Sequence, residues 1–150
     1  MDLSKESIIV INKAKQLAKA LNHKFAGSEH ILISLLSCSD SVKSVLGEVD
    51  LDSESLYKLS LSILKETKMA PGEDSEQVET VTLSPRANRV ITVAAAFASE
   101  ISLEQIEPIC IFLGILDELS GMCNYLFEQL NINTESLRII IGEMLGVESE

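Results

Sequence analysis

The chain has no tryptophan, only four phenylalanines and two tyrosines, and 12 basic side chains against 23 acidic ones. That imbalance leaves a formal net charge of −11. A surface of this sign repels phosphate backbones and anionic lipid, so neither nucleic acid nor a membrane is expected as a partner, and basic or cationic groups are favoured. Long hydrophobic runs are missing as well. The longest, Ile109 to Leu116, is eight residues, against the roughly 20 that a bilayer requires. The opening Met1-Asp2-Leu3-Ser4-Lys5-Glu6 lacks the charged-then-apolar layout of a secretion signal. Cysteine is scarce: Cys38, Cys110 and Cys123 are odd in number, widely spaced and set among apolar residues. They read as reduced thiols in or near a core, as in a cytosolic protein, rather than as a disulfide or a metal site. With His23 and His30 the only histidines and no paired cysteine spacing, neither a metal nor a cofactor is expected.

Catalytic motifs are missing too. No G-x-x-x-x-G-K-[ST] loop and no G-x-S-x-G nucleophile turn occurs. Asp117-Glu118 looks like a carboxylate pair, but neighbouring helical residues point about 100° apart and cannot share a proton-transfer site. An enzyme is not expected.

What remains is helical. Apolar residues make up 46% of 150 residues, enough to bury a real core in one ordinary domain or two small ones. Ile8, Ile11, Ala14, Ala18 and Leu21 recur at spacings of three and four, predicting one apolar stripe on a helix over about residues 5–22. Ile31, Leu32, Leu35 and Leu36 mark a second helix. Val42, Val45, Leu46 and Val49 mark a third, and Leu56, Leu59, Ile63 and Leu64 a fourth. The stretch MAPGEDSEQVETVT (69–82) then breaks the pattern with Pro71-Gly72 and four acids, and reads as a solvated connector over about residues 69–83. Ser84-Pro85 is a strong helix start. Behind it Val90, Ile91, Ala94, Phe97, Ala98 and Ile101 form the next stripe, followed by helices over about 108–118, 121–130 and 134–145.

The second half repeats the first. At an offset of 80, Ser4 meets Ser84, Val10 meets Val90, Ala14 meets Ala94, Ala18 meets Ala98, Ile31 meets Ile111 and Leu36 meets Leu116. Leu46 with Leu126 and Glu48 with Glu128 continue the series, and one added residue near Asn131 shifts the offset to 81. LDSESL (51–56) then faces INTESL (132–137), with Ser53 and Thr134 as matching helix caps. The expectation is an all-α fold of eight helices in two pseudo-twofold four-helix repeats, about residues 4–66 and 84–147, packed on one shared core. The aromatics Phe25, Tyr57, Phe97, Phe112, Tyr125 and Phe127 default to that core. Tyr125 and Phe127, two apart on a helix, cannot both face inward.

The segments Asn22-His23, GSEHILISLL (27–36) and SPRANRVITVA (84–94), together with Ala14, Leu17, Ala18 and Leu21, are similar to the Clp N-terminal domain. That module precedes the ATPase rings of Hsp100 unfoldases, and the ClpC type resembles this chain most. The resemblance spans about residues 4–147, essentially the whole chain, and makes residues 1–150 a single domain of this type. It implies a non-catalytic module that recognises protein substrates or adaptor proteins for unfolding and proteolysis. Its implied partners are these, the Clp ATPase, and the ClpP ring as a further candidate, in the cytoplasm or in a plastid stroma after removal of a transit peptide. A free-standing accessory subunit that docks on a Clp ring and regulates assembly is the alternative. An unrelated small helical enzyme or ligand carrier is the competing class.

By the same resemblance, Glu29 and His30 open a helix at a site where ClpC-type relatives bind phosphorylated arginine. Glu29 would offer an anionic acceptor to a guanidinium group, and Ser4 would take the place of the family threonine near the phosphate. Ser4, Glu29 and His30 thus form one candidate pocket. Its twin would need Ser84 and Ile109, and Ile109 stands where the family has an acid, so the second pocket is expected to be degenerate.

Overall fold

Most of the predicted helices open on a capping side chain or a proline. In the computed structural model, which describes residues 1–66 and 80–146, the order is α1 (Lys5–Ala20), β1 (Phe25–Ala26), α2 (Ser28–Cys38), α3 (Asp40–Glu48), α4 (Ser53–Glu66), β2 (Thr82–Leu83), α5 (Pro85–Glu100), α6 (Pro108–Asp117), α7 (Gly121–Gln129) and α8 (Thr134–Met144). The fold is all-α, with eight helices among the described residues. Ser4 and Ser84 cap α1 and α5, each hydroxyl accepting at 3.1 Å from the backbone N–H three residues on. The caps of α4 and α8 fall one residue before the expected Ser53 and Thr134. Asn133 Oδ1 accepts from the Ser136 N–H at 3.1 Å, and Asp52 takes the Ser55 hydroxyl at 2.7 Å, because Asx side chains reach a first-turn donor from outside the helix.

Two apolar helices, α2 and α6, lie inside the others. Apart from Glu29, the residues from Ser28 to Leu36 are buried, as are those from Pro108 to Leu116. A helix that is greasy on all sides must be surrounded. One cluster joins both halves, with Ile31, Leu35 and Val45 packed in the same core as Phe112, Ile115 and Leu126. The outer helices bury narrower faces than periodicity suggests. On α1 the inward residues are Ser7, Val10, Ile11, Ala14 and Ala18, whereas Ile8 is 45% exposed and Leu21 only half-buried. Ser7 takes the inward position because its hydroxyl donates to the Ile106 carbonyl at 2.6 Å. On α4, likewise, Leu59 is exposed and Ser60 is buried, donating to the Leu56 carbonyl.

The helices α1 and α5 each have 16 residues and start 80 apart, as do α2 and α6. From α3 onward the offset is 81: Val42, Val45 and Leu46 occupy the buried places of Cys123, Leu126 and Phe127. The added residue therefore falls in the turn between α6 and α7, earlier than the expected site near Asn131. Turn residues with left-handed backbone recur on the same offsets, Asn22 with Ser102 and Asp50 with Asn131.

The close helix crossings also recur, with different chemistry. Where α2 crosses α1, the Ser34 hydroxyl donates to the Val10 carbonyl at 2.6 Å. At the corresponding crossing of α6 on α5, Gly114 lies so near that a Cβ there would stand 2.5 Å from the Val90 carbonyl oxygen. Ser34→Ala removes one buried bond and leaves its acceptor within α1, so it is expected to cost about 1 kcal/mol, seen as a fall of about 2–4 °C in Tm.

The connector expectation needs correction at its end. Residues 67–79 lie outside the described part. Val81, however, is buried against Ala18 and Ala26, and Thr82–Leu83 form a parallel pair with Phe25–Ala26. Backbone donors beside a core need partners, and the strand supplies them. Its repeat-related mate is the parallel bridge between Leu3 and Ile106.

Candidate functional site

Gly27 precedes α2 and places Ser28, Glu29 and His30 in the first turn. A Cβ on residue 27 would collide with the Glu29 carboxylate, which folds back over it. Glycine is therefore needed for the acid to lie against the positive end of its own helix. The Gly27 N–H donates to His30 Nδ1 at 2.9 Å, the reciprocal half of a capping box. With Nδ1 accepting, the His30 proton sits on Nε2 and is donated to His23 Nδ1, 2.9 Å away. Both rings are then neutral. Burial lowers the pKa of His30 to about 4, with the His23 charge adding to the effect, and burial also lowers that of His23 against the opposing pull of Glu29. The 3.6 Å approach of Glu29 Oε1 to His30 Nδ1 is accordingly no ion pair, since that nitrogen carries a lone pair.

Glu29 lines an open cavity of about 530 Å³ built from the first turns of α2, α5 and α7, together with Phe25, Ser84, Arg86, Arg89 and Met122. The expected pairing is thus crossed. Ser4 and Glu29 do not share this cavity: Ser84 stands beside Glu29, its N–H donating to the Ala26 carbonyl at 2.9 Å, while the Ser4 N–H donates to the Ile106 carbonyl at 3.0 Å. The two short parallel pairings cause the exchange, each leading the first helix of one repeat onto the second helix of the other.

Ser4 is also only 2% exposed, with its hydroxyl donating to Ser7 Oγ and accepting from the Ser7 N–H, so it is shielded from a ligand at the surface. His30 is fully buried and acts behind the site by holding the start of α2. Ile109 is buried in the core. The repeat-related cavity, about 250 Å³, is lined instead by Glu6, Ile9, Asp40, Glu107 and Pro108 among others. The residues that periodicity overlooks are Arg86, Arg89 and Phe25. The arginines stand one turn apart just after the Ser84-Pro85 start, a signal present in the sequence. Phe25 is 51% exposed, a correction to its default place in the core. Tyr125 is exposed and Phe127 buried, as their spacing requires.

The remaining reactive side chains have structural surroundings. Asp117 pairs with Arg138 and Glu118 with Arg89, each at 3.7 Å, so the two acids point apart. Burial pushes the Cys123 thiol up to about 12 and that of Cys110 upward as well. No cluster of three or more metal-ligating side chains occurs among the described residues. No single helix among them is long and apolar enough to cross a membrane.

The family model described as "Clp repeat (R) N-terminal domain" matches residues 2–102. The chain belongs to this family. ClpC, the ATP-binding subunit of the ATP-dependent Clp protease, is 25% identical in Staphylococcus epidermidis over 138 residues, which cover 91% of this chain and 16% of that protein. The Clp repeat domain thus spans about one-sixth of the length of such relatives. The N-terminal domain of Hsp104 from Candida albicans has the same fold, with a TM-score of 0.84, 17% identity, and coverage of 99% of this chain and 94% of that one. A ClpV N-domain in complex with a VipB peptide is 25% identical with a TM-score of 0.70, covering 97% of this chain and 88% of that chain.

Proposed function

We propose that this Clp repeat domain is a non-catalytic recognition module that holds protein substrates or adaptors for an Hsp100 ring and leaves force generation to the ATPase. The observation that carries the reading is the cavity shared by the two repeats. Its rim joins α2 of the first repeat to α5 and α7 of the second, so a bound segment touches both. Its apolar edge, Phe25 and Met122, suits side chains of a protein segment. The peptide complex of the ClpV N-domain supports a peptide as the kind of ligand such a domain accepts. Docking of a free-standing form on a Clp ring is the second reading.

Within this reading Glu29 is the acceptor for a guanidinium group, and Ser84 takes the neighbouring role first assigned to Ser4. Glu29→Ala is expected to weaken binding of an arginine-phosphorylated protein by about tenfold or more, the scale of a lost charge-assisted hydrogen bond. Ser4→Ala is expected to leave it within about twofold. Fluorescence anisotropy with a labelled arginine-phosphorylated protein checks both. Unchanged affinity in Glu29→Ala removes Glu29 from the site, and no binding by the unaltered chain removes arginine-phosphorylated protein as its ligand; failure to bind any protein segment, arginine-phosphorylated or not, removes the recognition reading.

A further inference from the structure

The cavity beside Glu29 carries positive charge in an otherwise acidic chain. The sequence holds three arginines, Arg86, Arg89 and Arg138, and two of them line this one cavity. Arg86 is exposed, and among the described residues no carboxylate stands within ion-pair distance of it. Arg89 is held only loosely, its side chain 65% exposed and 3.7 Å from Glu118. The Glu29 carboxylate is turned back over Gly27, at the start of α2. Three helices, α2, α5 and α7, also direct their N-terminal turns at the same space, which adds to the positive potential.

The repeat itself provides the comparison. The equivalent cavity has Glu6 and Ile9 in the places of Arg86 and Arg89, and Asp40 and Glu107 beside them. The folds of the two cavities match while their charges are opposite, so the positive sign comes from this repeat's side chains and not from helix ends alone. The lining holds two arginines and one glutamate, and Glu118 reaches only Arg89, so Arg86 is the cation that one ligand carboxylate balances. A phosphate dianion that brings no guanidinium of its own to Glu29 would carry excess charge here. Guanidinium forks bind carboxylates in two-point fashion. A cavity of about 530 Å³ is much larger than a carboxylate, and its Phe25 and Met122 edge suits an aliphatic stem and neighbouring residues.

We propose that this cavity receives the side-chain carboxylate of an aspartate or glutamate in an acidic segment of a protein partner, held by Arg86 and Arg89. The assignment rests on the protein-recognition reading and specifies the partner's chemistry.

The three arginine Nε–H signals of the ¹⁵N-labelled chain make a direct test, with Arg138 as the internal control. The probes are acetylated, amidated Ser-Leu-Glu-Leu-Ser, its counterpart with Gln for Glu, and inorganic phosphate. The glutamate peptide is expected to shift the Arg86 and Arg89 signals saturably and to leave Arg138 in place, while the glutamine peptide binds at least about tenfold more weakly. Arg86→Gln with Arg89→Gln is expected to abolish that difference with the helical circular dichroism retained. Should the double variant unfold, the glutamate-to-glutamine comparison on the unaltered chain decides alone. Equal shifts from both peptides overturn the carboxylate assignment but leave protein recognition standing. No shift at either arginine, or tighter saturation by phosphate than by the glutamate peptide, overturns it as well. Failure of the arginine-phosphorylated protein assay together with a selective glutamate response would instead remove the guanidinium role of Glu29 and retain this one.

Discussion

Replacing His30 with alanine is expected to lower stability by about 3 kcal/mol and Tm by about 6–12 °C. The ring is fully buried, so its removal leaves a cavity. It also strips a partner from the Gly27 N–H and from His23 Nδ1, two polar groups then left unsatisfied in a dry place. His30→Gln is the informative companion. Glutamine is a regular third-residue member of a capping box, can accept from Gly27 through its oxygen, and cannot titrate, so it is expected to recover part of the loss.

The same pair makes stability depend on pH. The folded pKa of His30, about 4, lies below the ordinary 6.5, so the unfolded chain binds more protons between these values. Stability from the neutral ring is therefore full above pH 6.5, declines as pH falls toward about 4, and is flat below that. The limiting effect is about 3 kcal/mol. Urea unfolding at pH 7, 6 and 5 samples the decline before most carboxylates begin to protonate. The unaltered chain should weaken steadily across the three, and His30→Gln should weaken less. Identical slopes for the two would mean that the buried ring carries no pH dependence.

At Gly114 the expected loss is comparable and its origin is different. A Cβ would stand 2.5 Å from the Val90 carbonyl oxygen and 3.1 Å from Val90 Cγ1. The first of these atoms is backbone, so α5 as a whole must move. Overpacking of this kind costs about 1–3 kcal/mol, and the better helix propensity of alanine returns up to about 1. Gly114→Ala should therefore lose about 1–2 kcal/mol, and Gly114→Val, with two more methyl groups, about 3 or more. Gly47 provides the opposite case. Nothing lies within 4 Å of its Cβ position, so Gly47→Ala in α3 is expected to gain up to about 1 kcal/mol. Chemical denaturation of the three variants would show whether the crossing of α5 and α6 is as tight as its geometry requires; a neutral Gly114→Val would contradict it.

Periodicity located the helices well because apolar residues at three- and four-residue spacing specify a buried face, and Ser84-Pro85 specifies a start. It erred on which side of the face was deepest. Ile8 reads as more apolar than Ser7, yet Ser7 finds the Ile106 carbonyl and goes inside. Hydropathy ranks side chains one at a time and has no access to a hydrogen-bond acceptor about a hundred residues away. The displaced register shift has a similar source. Identities such as Leu46 with Leu126 favour the offset of 80, but the buried positions of α7 follow 81.

The sequence by itself determined the helical class, the doubling of a four-helix pattern, the family, and the placing of Glu29 in the first turn of α2. These depend on local spacing and on self-similarity, both of which can be read along the chain. Only the tertiary structure decided which residues meet. It set Glu29 against Ser84, Arg86 and Arg89 rather than Ser4, exposed Phe25 at the rim, and joined His23 to His30 as a neutral buried pair. The reason is that two-residue parallel pairings, Phe25–Ala26 with Thr82–Leu83 and Leu3 with Ile106, exchange the leading segments of the two repeats. Pairings that short leave no periodic trace in the sequence, and they form because backbone groups that the assembled core buries must be hydrogen-bonded.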